Sequence, residues 1–72
     1  MAYKNKKDAI KRLREKEKSN PDITFLLVYD PYAEDGRKNL TPYYVISEDY
    51  YYLPENEGGP CFSDSVTIID LD

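Results

Sequence analysis

The sequence predicts an α+β fold, with one N-terminal helix packed on a three- or four-stranded antiparallel sheet. Three observations predict it. The first nineteen residues form a charged, helix-favouring segment with a spaced apolar stripe, the apolar residues beyond residue 20 fall into short strand-like runs, and those runs are separated by Pro, Gly, Asn and Asp. At 72 residues the chain makes one small domain, 1–72. A domain of that size buries only roughly 60 to 65% of its extended-chain surface, so a small core under a charged surface is expected.

The helix is predicted over residues 5–19, "NKKDAIKRLREKEKS". Asn5 stands where a cap is wanted, Asp8 falls among free backbone amides, and Asn20-Pro21 closes the segment. Asp8 also precedes Arg12 by four residues, a favourable helical pair. The apolar stripe of Ala9, Ile10 and Leu13, with Tyr3 ahead of it, is thin. Lys and Arg stems are therefore expected to supply part of the contact with the sheet.

Strands are predicted over residues 23–30, 43–47, 50–53 and 65–71. In the first, Ile23, Phe25, Leu27 and Tyr29 share one face, and Thr24, Leu26 and Val28 share the other. Apolar side chains on both faces mark it as a central strand with the helix on one side. "PYAEDGRKN" reads as an exposed loop turning at Asp35-Gly36, and Pro42 opens the next strand, where a missing donor does least harm. Glu48-Asp49 is either a tight hairpin turn into "YYYL" or part of a strand that runs on through a bulge. "PENEGGP" reads as a loop and "SVTIIDL" as a final strand whose place at the chain end suggests a sheet edge.

Charge is divided along the chain. Residues 1–19 carry eight Lys or Arg against three acids, a balance of +5, while residues 20–72 carry two bases against eleven acids, a balance of −9. An acidic region of that strength repels nucleic acid and membrane headgroups and attracts basic proteins. The absence of an apolar leader or spanning run, and a single cysteine that cannot form an internal disulfide, point to a soluble cytoplasmic protein.

Catalytic chemistry finds little to work with. There is no His, hence no ordinary general base near neutral pH. The acid pairs Glu34-Asp35, Glu48-Asp49 and Glu55/Glu57 fit no calcium-loop pattern, and "GGP" lacks the Lys and spacing of a phosphate-binding loop. Neither enzyme activity nor a metal or other cofactor is expected. Cys61, between Pro60 and Phe62, reads as a small apolar filler.

Eight Tyr and no Trp make the aromatic content distinctive, and "SEDYYYLPENEGGP" concentrates Tyr50, Tyr51 and Tyr52 among Glu48, Asp49, Glu55 and Glu57. Tyrosine supplies large rigid contact area at low entropic cost, and carboxylates between such anchors can present charge as a phosphate backbone does. With Tyr43, Glu34 and Asp35 these residues are the expected partner-binding set. In size, acidity and aromatic content, residues 20–72 resemble the small acidic inhibitors with which phages and mobile elements block nucleic-acid-handling enzymes, including anti-CRISPR proteins and DNA mimics. That resemblance implies a non-enzymatic protein acting in the cytoplasm (the host's, if phage-encoded) against a protein with a basic surface. It carries no motif across residue by residue, and the basic helix departs from a uniformly acidic mimic. Two other readings follow from the same sequence. One is nucleic-acid binding through Lys11, Arg12 and Arg14 of the helix, whose cations are scattered around it among acids. The other is a structural subunit that self-associates through a strand edge.

Overall fold

The computed structural model describes residues 2–71. In chain order the elements are β1 (Ala2–Tyr3), α1 (Lys6–Ser19), β2 (Phe25–Tyr29), β3 (Tyr43–Ser47), α2 (Glu48–Tyr51), a 3₁₀ turn (Glu55–Glu57) and β4 (Thr67–Ile69). The four strands form one sheet of order β1-β3-β2-β4 with every neighbouring pair antiparallel, and α1 packs on it. The α+β architecture is therefore as the sequence predicts, with β2 internal and β4 at an edge.

α1 ends where Asn20 intervenes: its backbone N–H and side-chain amide both donate to the Lys16 carbonyl, at 3.0 and 3.2 Å. Asn5 occupies the capping position in extended backbone but does not cap, its side chain instead donating to Asp8 at 3.5 Å. The buried stripe is Ala9 and Leu13, which meet Leu27 of β2 and Val45 of β3. Tyr3, Ile10, Phe25, Tyr43, Ile69 and Leu71 close around that contact. Arg12 is half-buried with an unpartnered, fully covered Nε, so part of its side chain does pack as contact surface.

Register accounts for the two faces. Leu27 pairs with Val45 and Tyr29 with Tyr43 on the α1 side, while Leu26 pairs with Ile46 and Val28 with Tyr44 on the other. Val28 is fully buried and Ile46 nearly so, so that second face also needs a cover. Topology supplies it. The β1-to-β2 and β3-to-β4 connections each pass over one intervening strand in the same direction, but they start from strands of opposite polarity. Two crossovers of the same hand must then lie on opposite faces. The first contains α1; the second, residues 48–66, is a strap across the back of the sheet.

Three sequence expectations need correction. Residues 50–53 are not a strand: Tyr50 and Tyr51 complete α2, and Glu48-Asp49 is its first turn and no hairpin. β3 is paired with β2 along Tyr43–Ser47 and with β1 only at Tyr43 and Tyr44, and among the described residues no returning strand takes up the edge beside Val45–Ser47. Ser47 instead accepts from the Tyr50 N–H at 3.2 Å and starts a helix. Ala2–Tyr3 is a strand that the sequence reading omitted, and the last strand is Thr67–Ile69, shorter than residues 65–71.

Candidate acidic and aromatic interface

The strap is held by polar contacts at one end and apolar contacts along its length. At the end of β2, the Asp30 side chain is only 2% exposed. Its carboxylate accepts from the Ser63 N–H at 2.8 Å, from the Ser63 hydroxyl and from the Tyr32 N–H at 3.2 Å. Asn39, also buried, donates to the Asp30 carbonyl at 3.0 Å and to the Tyr44 hydroxyl at 2.8 Å, and accepts from the Thr41 N–H at 3.0 Å. This network ties the 31–41 loop and the strap to the same strand end. A buried carboxylate with its acceptor sites filled is tolerable where an unpartnered one is not.

Further along, the Phe62 ring packs edge-on to Tyr44, centroids 5.2 Å apart, and tilted against Tyr51 at 5.9 Å. The "GGP" segment serves this path. Gly58 ends the 3₁₀ turn at φ +90°, in the left-handed region. A Cβ on Gly59 would lie 1.8 Å from the Leu53 carbonyl oxygen, so the chain can close this turn only with glycine there. The two glycines bring Pro60 to Phe62 back onto the sheet.

The expected partner-binding residues divide into groups. Tyr43 is not with the others: it lies on the α1 side, packed against Tyr29 at 5.1 Å and the helix core. Glu48 and Asp49 open α2 beside Asp22, Ile23 and Thr24, around a shallow recess of about 230 Å³; the Glu48 N–H donates to the Thr24 carbonyl at 2.8 Å. Within the tyrosine run, Tyr51 is half-buried, stacked edge-on with Tyr52 at 4.9 Å. Tyr50 and Tyr52 are 42% and 66% exposed, with Leu53 exposed next to them. Glu55 and Glu57 belong to the 3₁₀ turn. Asp35, at the loop tip, accepts from the Arg37 N–H at 3.0 Å and pairs with its guanidinium at 3.5 Å, so its charge is locally offset.

Glu34 and Tyr50 line one open cleft together with Tyr44, Ile46, Pro60, Cys61 and Phe62. Cys61 is exposed, contrary to its reading as a filler: Phe62 turns inward onto Tyr44, and its neighbour faces out. Glu55, first, and then Glu34 hold the Cys61 thiol above its ordinary range, because a thiolate would sit beside carboxylates. That leaves it a poor nucleophile.

On α1, Arg12 pairs with Glu15 at 3.4 Å and Arg14 with Glu17 at 3.2 Å, while Lys11 is exposed. Exposed pairs of this spacing add little stability, but they spread the helix cations among acids. Among the described residues no group of three or more His, Cys, Asp or Glu is arranged to hold a metal, and no helix is long and apolar enough to cross a membrane.

The sequence reading missed Asp30, Asn39, Ser63 and Phe62. A signal for the first was present in "YDPY", since Asp before Pro favours a side-chain-capped turn; its partner Ser63, 33 residues on, has no local signature. Compared with family models, with curated proteins and with solved structures, the chain matches none of them.

Proposed function

We propose that the protein is a small, non-enzymatic inhibitor that binds, through its acidic and aromatic strap, the basic surface of a nucleic-acid-handling protein. The observation that carries this reading is the concentration of exposed Tyr50, Tyr52 and Leu53 among Glu48, Asp49, Glu55 and Glu57, in a part of the chain where no Lys or Arg follows Lys38. Tyrosine rings desolvate well and anchor interfaces, and unpaired carboxylates around them steer a basic partner into place. On α1, Arg12 and Arg14 are paired with Glu15 and Glu17, which offsets part of the opposing positive charge.

The test is affinity capture from candidate host lysates with three baits: the wild-type chain, Tyr50→Ala/Tyr52→Ala, and a variant with Glu48, Asp49, Glu55 and Glu57 changed to Gln or Asn. The reading predicts a nucleic-acid-handling protein that is captured by wild type, lost or weakened with both variants, and inhibited when the purified chain is added. A captured set that is the same for all three baits would overturn it. The competing reading, direct nucleic-acid binding through Lys11, Arg12 and Arg14, predicts sub-micromolar, steeply salt-dependent mobility shifts that those three substitutions abolish.

A further inference from the structure

We infer that the trench between the 31–38 loop and the strap is a receptor for an arginine-bearing, extended segment of the partner, the guanidinium lying against Phe62 and Tyr50 and facing the carboxylates of Glu34 and Glu55. This rests on the proposed function and assigns the energetic centre of that interface to the cleft where Glu34 and Tyr50 meet Cys61 and Phe62, a convergence the sequence did not show.

The trench has two adjoining compartments that share Glu34, Cys61 and Phe62. One, of about 340 Å³, continues over Tyr44, Ile46 and Tyr50; the other, of about 350 Å³, continues over Tyr32, Gly36 and Asp64. Its lining is aromatic and aliphatic and its charged lining is acidic: Glu34 and Asp64 line it directly, and Glu55, on the strap, acts electrostatically on Cys61 within it. The ion pairs among the described residues engage Glu15, Glu17 and Asp35, and none of them involves these three. The bases of the neighbouring loop, Arg37 and Lys38, are not in the lining, and Arg37 is paired with Asp35, so carboxylates beside exposed rings form a site that is electrostatically incomplete.

A guanidinium completes it better than other chemistries. Its planar, weakly hydrated face stacks on aromatic rings, and its fork of donors can serve more than one carboxylate at once. An anion is repelled, a neutral apolar group leaves the carboxylates unsatisfied, and an ammonium lacks the flat face. The open shape and paired compartments suit an extended chain lying along the trench and not a compact ligand.

The experiment titrates the isotopically labelled chain with a blocked Gly-Arg-Gly-Arg-Gly peptide and with its citrulline counterpart, which keeps the shape but not the charge, and follows amide resonances. The expected result is saturable shifts at Glu34, Tyr50, Cys61 and Phe62 with the arginine peptide. Affinity should fall about tenfold or more with the citrulline peptide and in Glu34→Gln/Glu55→Gln. Thermal melting checks that this variant stays folded, and Tyr50→Ala provides a second variant. Equal binding of the two peptides, or shifts confined to Glu48 and Asp49, would overturn the inference. So would salt-sensitive dimers of the chain that Glu34→Gln/Glu55→Gln dissolves, since the occupant would then be α1 of a second copy. Failure here is separable from failure of the broader reading. A captured partner indifferent to Glu34→Gln/Glu55→Gln removes the trench and keeps the inhibitor, whereas trench binding of the peptide with no strap-dependent partner does the reverse.

Discussion

The two faces of the sheet are covered by different means. On one side, a single regular helix contributes Ala9 and Leu13 to a contact with Leu27 and Val45, and its cations are interleaved with acids. On the other, an irregular strap covers Val28, Tyr44 and Ile46 with Phe62 and Tyr51, is fastened through Asp30, and leaves Tyr50, Tyr52 and uncompensated carboxylates outward. The helix side stabilises the fold through aliphatic burial and has little exposed surface suited to recognition. The strap side secures its path with a few polar and aromatic contacts, so its outer residues are free to serve a partner. In a domain of this size, where total stability is of the order of several kcal/mol, stability and recognition are thereby carried by different faces.

Breaking the helix side should have the largest effect. Leu13 is 4% exposed at the centre of the contact, and Leu13→Ala is expected to cost about 3 kcal/mol, read as a lower denaturant midpoint. The residual folded fraction should still bind a strap-directed partner, because no strap contact involves Leu13.

Asp30→Ala should come next, at about 2 to 3 kcal/mol, since it leaves the Ser63 and Tyr32 N–H groups without their acceptor. It sharpens the comparison by its location: hydrogen exchange should accelerate in residues 61–66 well before it does in α1. Uniform acceleration across the chain would mean that helix and strap are one cooperative unit.

Gly59→Ala places a methyl group against the Leu53 carbonyl and should cost about 1 to 3 kcal/mol through the forced backbone shift. It should also weaken strap-mediated binding, because the same turn returns Pro60 to Phe62 to the sheet. A melting temperature equal to wild type would show that the turn can relax freely.

The smallest effect is chemical and leaves stability alone. Because Glu55 and, less strongly, Glu34 keep the Cys61 thiol protonated to higher pH, neutralising either carboxylate should lower the thiol's pKa and raise its thiolate fraction. Alkylation at mildly alkaline pH should thus speed up in Glu55→Gln and, to a smaller extent, in Glu34→Gln. Unchanged rates in both would mean that the two carboxylates do not converge on the trench.

The helix face was more legible in the sequence than the strap. Spacing of Ala9, Ile10 and Leu13 and the alternation of Phe25, Leu27 and Tyr29 are local patterns with a single physical meaning; they gave a helix on one face of a central strand, and the structure shows that face to be the one of Phe25 and Leu27. The strap was misread at Tyr50–Leu53, where aromatic strand propensity outweighed a genuine helix-start signal, Ser47 followed by two acids. In the structure that signal prevails, the Ser47 hydroxyl accepting from the Tyr50 N–H to start α2. The candidate site was legible in part. Glu34, Tyr50 and Glu55 were found as separate residues of one acidic, aromatic set, but their meeting around Phe62 depends on a crossover that no local pattern encodes. Tyr43 was placed in that set by residue type alone, and its register opposite Tyr29 puts it on the other face.

The most direct test of this division compares alanine variants of Tyr50, Tyr51 and Tyr52 in two measurements, thermal melting and affinity for the protein captured by the wild-type bait. Tyr50→Ala and Tyr52→Ala should change stability by no more than about 0.5 kcal/mol. At least one of them should cost on the order of 2 kcal/mol or more in binding. Tyr51→Ala, which removes the ring packed on Phe62, should lower the melting temperature and affect binding chiefly through that loss. If all three substitutions cost stability equally and none changes binding, the tyrosine run is core, and the strap is a cover for the sheet and no interface.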